Sequence, residues 1–184
     1  MDNNEIKQNY LFLMVGSPGS GKSYVSDWLT PMFEALRLRS DDLRVAMLGP
    51  LRPEFHDEPY SSMISGAMKY AAKQAFTQNH SVVYDTNNNS VERRQELSAL
   101  AKQFEALTVV VWIQTPQELA KERALERDML EDSKVTNVDY VDKMAAQIEP
   151  PTSDELVIKL DGTNTSQAQQ ASFSNQLRKL DEIT

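Results

Sequence analysis

The octapeptide Gly16-Ser-Pro-Gly-Ser-Gly-Lys22-Ser23 constrains this chain more than any other feature of it. It fits G-x-x-x-x-G-K-[ST], follows a continuous apolar run at Leu11–Val15 and precedes a helical stretch at Lys22–Phe33. A run that is apolar at every position suits a strand buried on both faces of a parallel sheet. Gly16, Gly19 and Gly21, with Ser17, Pro18 and Ser20 between them, let successive backbone N–H groups converge on one point. The helix that follows adds the positive end of its dipole. Lys22 supplies a cation for β and γ phosphates, and the Ser23 hydroxyl suits a Mg²⁺ ion. The octapeptide therefore predicts a seat for a nucleoside triphosphate, with ATP and Mg²⁺ as the expected cofactors.

The rest of the chain supplies a frame for that loop. Further apolar runs at Ser81–Tyr84, Thr108–Ile113 and Leu156–Leu160, with a weaker one at Leu36–Arg39, bring the predicted strands to five. Between them the period lengthens to that of helices. Tyr60, Met63, Ile64, Ala67, Met68, Ala71 and Ala75 form one apolar stripe, which predicts a core-facing helix. Leu97, Leu100, Ala101 and Phe104 form another, opened by an Asn89–Glu92 capping box. Helices are also predicted at Asp42–Met47, Pro116–Met129, Val138–Ile148 and Gln167–Leu180. Strands separated by helices imply an α/β fold of three layers around a parallel sheet, with ligands at the carboxyl ends of the strands.

Composition removes other classes. The chain has no cysteine and two histidines, so disulfides, thiolate sites and His-rich metal sites are excluded. His56, within the proline-punctuated stretch Gly49–Pro59, is expected on a solvent-facing loop, and His80 is expected to be inert. No apolar run is long enough for a membrane span, and Met1–Glu5 is acidic where a secretory signal is basic, so a cytoplasmic protein is expected. The length of 184 residues suits one domain, 1–184, with residues 1–9 as a flexible leading segment. The net charge is −8, most of it carried by residues 117–184, which argues against bulk coating of nucleic acid. A local grip is expected over Leu36–Arg52, where Arg37, Arg39, Arg44 and Arg52 outnumber Asp41 and Asp42.

Further positions suggest what happens to the triphosphate. Asp85 ends the strand Val82–Asp85, where a carboxylate would approach the metal, directly or through water. Thr86 follows it, in place of the water-activating acid usual in motor ATPases, and the chain has no N-K-x-D string for guanine. Transfer to an acceptor other than water is the expected outcome. Asp41 and Asp42 follow the second strand and could serve as general base or as helix caps. Arg123 and Arg127, four apart, could close over phosphates or pair with Glu122 and Glu126 on a helix surface.

The strings GSPGSGKS, SDDLR at Ser40–Arg44, DTNNNSVERR at Asp85–Arg94 and RALER at Arg123–Arg127 resemble, in this order, the phage-type 5′-hydroxyl polynucleotide kinases. Those enzymes lie within the broader P-loop kinase group that includes zeta toxins. The likeness covers Tyr10 to Pro150 and implies a P-loop kinase fold with a helical lid. It implies that Asp41 is the general base, that Arg44 orients the acceptor and Asp41, and that Arg127 acts on the transferring phosphoryl group. Arg123 is then a supporting cation, Asp85 sits near acceptor and metal, and Asn87 lines the acceptor side. The implied partner is the 5′ end of a nucleic acid; the alternatives are a small-molecule hydroxyl acceptor such as a nucleoside, nucleotide-sugar or antibiotic, or an ATP-binding module without transfer chemistry. Two departures stand out. Val135-Thr136 replaces the Val-Pro pair usual after the lid arginine, and Asp161-Gly162-Thr163 lacks the first aspartate of a D-x-D-x-T phosphatase signature, so no 3′-phosphatase activity is expected.

Overall fold

Strand β1 (Tyr10–Val15) is buried along its whole length because it lies at the centre of an all-parallel sheet. β2 (Leu36–Arg39), β3 (Val82–Asp85), β4 (Leu107–Gln114) and β5 (Leu156–Asp161) complete the order β2-β3-β1-β4-β5. Leu13 is flanked by Tyr84 on one side and Val110 on the other. The computed structural model describes residues 8–131 and 138–182. The expected five-stranded, three-layer α/β fold is what the chain adopts.

Alternation along β1 divides the core in two. Tyr10, Phe12 and Met14 pack with Val25 and Leu29 of α1 (Lys22–Met32) and Phe173 of α7 (Ser166–Asp181). Leu11 and Leu13 pack on the opposite face with Ile64 and Met68 of α3 (Tyr60–Thr77) and Leu97 of α4 (Val91–Lys102). Helix α2 (Ser40–Leu48) leaves the end of β2. α5 (Gln117–Glu131) and α6 (Val138–Ala146) pack on each other beyond β4. The polar stretch Leu130–Asn137 reads from sequence as a loop, but α5 continues through Leu130 to Glu131; residues 132–137, including Val135 and Thr136, lie outside the described residues. Of the expected flexible segment, Asn9 carries the ladder one step past β1 by accepting from the Leu107 N–H at 2.8 Å; residues 1–7 lie outside the described residues.

Several local expectations need correction. Ser90, not Asn89, caps α4, its hydroxyl accepting from the Arg93 N–H. Asn89 is turned inward instead, where its Oδ1 accepts from the Gly16 N–H at 3.4 Å. Met63 is 41% exposed, because the buried face of α3 runs through Ile64, Met68, Ala72, Ala75 and Phe76. The stretch Gly49–Pro59 contains one 3-10 turn, Pro53–His56, anchored by buried Phe55 against the Tyr60 ring. No described helix is long and apolar enough to cross a membrane.

Candidate active site

The parallel sheet brings five strand ends to one edge. Gly16 follows β1, Asp41 follows β2, Asp85 ends β3, Thr115 follows β4 and Gly162 follows β5. Asp41 and Asp42 lie in the first turn of α2, whose N-cap is Arg39, so neither is the cap.

The loop after β1 is held in a cradle shape by its neighbours. Gly19 has φ +75°, and a Cβ there would come within 1.9 Å of the Ala120 carbonyl oxygen on α5, so the lid helix seats directly on the loop backbone. Thr115 donates its hydroxyl to the Ser20 carbonyl at 2.8 Å and fixes the far side. Helix α1 starts at Gly21 without a side-chain cap, which leaves its leading N–H groups for an anion. Lys22 donates from Nζ to the carbonyls of Gly16 at 2.7 Å and Ser17 at 2.9 Å. Burial pushes its pKa down to about 8, opposed by Asp85 and Asp41 and assisted by Arg127. An anion at the loop favours the charged amine.

Around Lys22 lies a cleft of about 650 Å³, lined by loop residues Gly16, Pro18, Gly19, Gly21 and Ser23 and by Asp41, Arg44, Asp85, Asn87, Arg123 and Arg127. The sequence-predicted residues are thus brought together from four segments. Ser17 and Ser20 belong to the loop but do not line this cleft. Seven of the lining residues are Lys or Arg against three Asp, in a chain of net charge −8, so the cleft is a basic island suited to polyanions. Arg123 does not rely on surface pairing for its position. It donates to the Gly162 carbonyl at 2.9 Å.

Arg44 is buried and doubly held, donating to Asp41 Oδ1 at 3.2 Å and to the Phe55 carbonyl at 3.0 Å. It therefore orients Asp41 and ties the 3-10 turn to α2. Asn87 donates to the Met144 sulfur on α6 and so touches the lid side. The expected basic grip over Leu36–Arg52 is not a free surface. Arg37 pairs with Asp27 and Asp85, Arg39 with Asp42, Arg44 with Asp41 and Arg52 with Glu54.

His56 also departs from expectation. It lines the cleft and is half-buried, with Nε2 shielded and without a hydrogen-bond partner in the structure. Burial lowers its pKa, and Arg44 lowers it further against the pull of Asp41 and Asp57. The α6 residues Tyr140 and Lys143, which no sequence pattern singled out, line the same cleft, as does the α4 residue Arg93, which the DTNNNSVERR string contained without a role assigned to it. His80 is exposed and lies outside the cleft lining.

Among the described residues no cluster of three His, Asp or Glu could hold a metal unaided. The donors near the loop are the Ser23 hydroxyl and the Asp85 carboxylate, which suits Mg²⁺ arriving with phosphate oxygens as its other ligands.

A phosphate loop between a central strand and an uncapped helix, on a β2-β3-β1-β4-β5 parallel sheet, defines a nucleotide-binding P-loop protein of the kinase fold. A family model described as an AAA domain matches residues 11–151, and the chain belongs to that family. No curated protein matches it. Among solved structures, a candidate kinase from Chloroflexus aurantiacus aligns with TM-score 0.75 at 14% identity, over 96% of this chain and 97% of the other. A gluconokinase from Sinorhizobium meliloti aligns with TM-score 0.63 at 14% identity, over 95% of both chains. A chain of the Pnkp1/Rnl/Hen1 RNA repair complex aligns with TM-score 0.65 at 19% identity, over 80% of this chain and 47% of that one. These likenesses are of fold.

Proposed function

We propose that the protein transfers the γ-phosphoryl group of ATP to a hydroxyl, and that the acceptor is the 5′-hydroxyl end of a polynucleotide. The observation that carries the reading is the meeting of Lys22 and Asp41 across one cleft, with Arg127 acting on the same space. The loop amides and Lys22 hold the β and γ phosphates, while Arg123 and Arg127 offset charge as it spreads over the transferring group. Asp41, held by Arg44, takes the proton of the attacking hydroxyl. Ser23, with Asp85 behind it, would hold Mg²⁺, which when bound neutralises phosphate charge. The order of the four motifs and the basic cleft in an acidic chain support a nucleic acid end as acceptor.

One observation favours a small polyhydroxylated acceptor instead. The wall beside Asp41 carries Ser61, Ser65, Thr86 and Asn87, neutral groups suited to sugar-like hydroxyls. A screen with γ-labelled ATP, a 5′-hydroxyl oligonucleotide and a panel of nucleosides and sugar acids separates the two. The first reading expects label on the oligonucleotide 5′ end. Label on a small metabolite alone selects the second, and label on neither, with ATP bound intact, removes phosphotransfer altogether.

A further inference from the structure

Arg37 reads in the sequence only as one of four basic residues near β2, yet it hydrogen-bonds to three residues beside the loop. Its side chain spans three elements. Nη2 reaches Asp85 Oδ2 at 2.6 Å and the Ser23 carbonyl at 3.3 Å, Nε reaches the same Oδ2 at 3.1 Å, and Nη1 reaches Asp27 at 2.5 Å. Asp85 is 4% exposed, and removing one partner of a buried charge pair leaves the other charge uncompensated. Alternation on β2 explains the geometry: Leu38 faces the core shared with α3, so Arg37 points to the other face, toward α1. Both Arg37 nitrogens grip one oxygen of Asp85, and Oδ1 carries neither bond.

We infer that Arg37 is a positioning residue for the metal–nucleotide complex, fixing Asp85 and the Ser23 turn at one spacing while leaving Oδ1 to face a hydrated cation. It touches both residues assigned to the metal, Asp85 through its carboxylate and Ser23 through its backbone carbonyl, and would contact neither metal nor phosphate itself. Outer partners of this kind typically carry about 10- to 100-fold in metal affinity. The inference rests on the reading of the loop as a nucleotide site.

The test measures ADP affinity by calorimetry in Mn²⁺ and in EDTA, with Mn²⁺ binding followed in parallel by electron paramagnetic resonance. Arg37→Lys keeps a charge but loses the planar fork. It is expected to cut the metal-dependent gain in ADP affinity about tenfold or more, with affinity in EDTA unchanged. Asp85→Asn is expected to cut the gain as well, and Arg37→Lys/Asp85→Asn no further than Asp85→Asn alone. A full metal-dependent gain in Arg37→Lys, or losses that multiply in the double variant, overturns the inference. Should Arg37→Lys fail to fold, Arg37→Gln/Asp85→Asn replaces it, since it removes both charges of the pair together. A gain equal to that of Asp85→Asn then supports the inference and a further tenfold loss overturns it. A wild-type protein that binds ADP equally with and without metal sinks the inference alone; one that binds no ADP sinks the nucleotide site with it.

Discussion

Gly19 shows what a single residue decides here. Its positive φ and the Ala120 carbonyl against its Cα leave no room for a side chain. Gly19→Ala is expected to push α5 off the loop and abolish ADP binding in a calorimetric titration. Binding at wild-type affinity would show that the loop and lid helix do not depend on that contact. Arg127, exposed at the cleft and close enough to act on Lys22, is expected to work chiefly in the transition state. Arg127→Ala should lower kcat by about 10² to 10³-fold with little change in ADP affinity. An equal loss in ADP affinity would move its role to ground-state binding. The loop residues were legible because their chemistry is written contiguously in the chain. The Arg37–Asp85 pair was not, since its partners lie 48 positions apart and meet only when β2 pairs with β3. Nothing in the local pattern around His56 shows that Phe55 would anchor that turn and fold the imidazole inward.

At the scale of elements, the α4 start and the approach to β5 are joined through one buried ion pair. Arg94, 1% exposed, donates to Glu155 at 2.7 Å and to the carbonyls of Asn88, Asn89 and Glu149. Glu155→Gln leaves that guanidinium without its counter-charge, and about 3 kcal/mol of stability is expected to go. The dependence on pH follows from the same contacts. Burial raises the Glu155 pKa, but hydrogen bonds from Arg94 and Thr152 outweigh it and hold it below the usual carboxylate value. That contribution is present above the unfolded-state value and is lost as pH falls through the folded one. Denaturant melts should show the gap between wild type and variant closing with acid, and a constant gap would contradict the assignment. Gly66 on α3 makes the opposite case, because a Cβ there meets nothing within 4 Å. Gly66→Ala should stabilise by about 0.5–1 kcal/mol, raising Tm by roughly 1–4 °C. All five strands could be read from apolar runs, even the weak edge strand. The stripe named Ile64, Met68 and Ala75 on the buried face of α3 but erred at its edge, where Met63 faces outward once the sheet is in place.

The whole molecule sets charge against shape: an acidic protein with one basic cleft at the carboxyl edge of its sheet. Composition revealed the acid, but the concentration of cations at one point depends on chain reversals that no local pattern encodes. If the acceptor is an oligonucleotide, its kcat/KM should fall roughly three- to sevenfold between 50 and 200 mM salt, the response expected of one or two phosphate contacts on a single strand. A flat response in steady-state assays would point to an uncharged acceptor. The central claim is that Asp41 faces the loop-bound triphosphate as the base for an incoming hydroxyl. Its most direct test is single-turnover transfer of labelled phosphoryl to the acceptor by wild type and Asp41→Asn, with ADP affinity measured on both proteins. The predicted result is transfer slowed about 10² to 10⁴-fold with ADP affinity unchanged. Transfer by Asp41→Asn at the wild-type rate would contradict it.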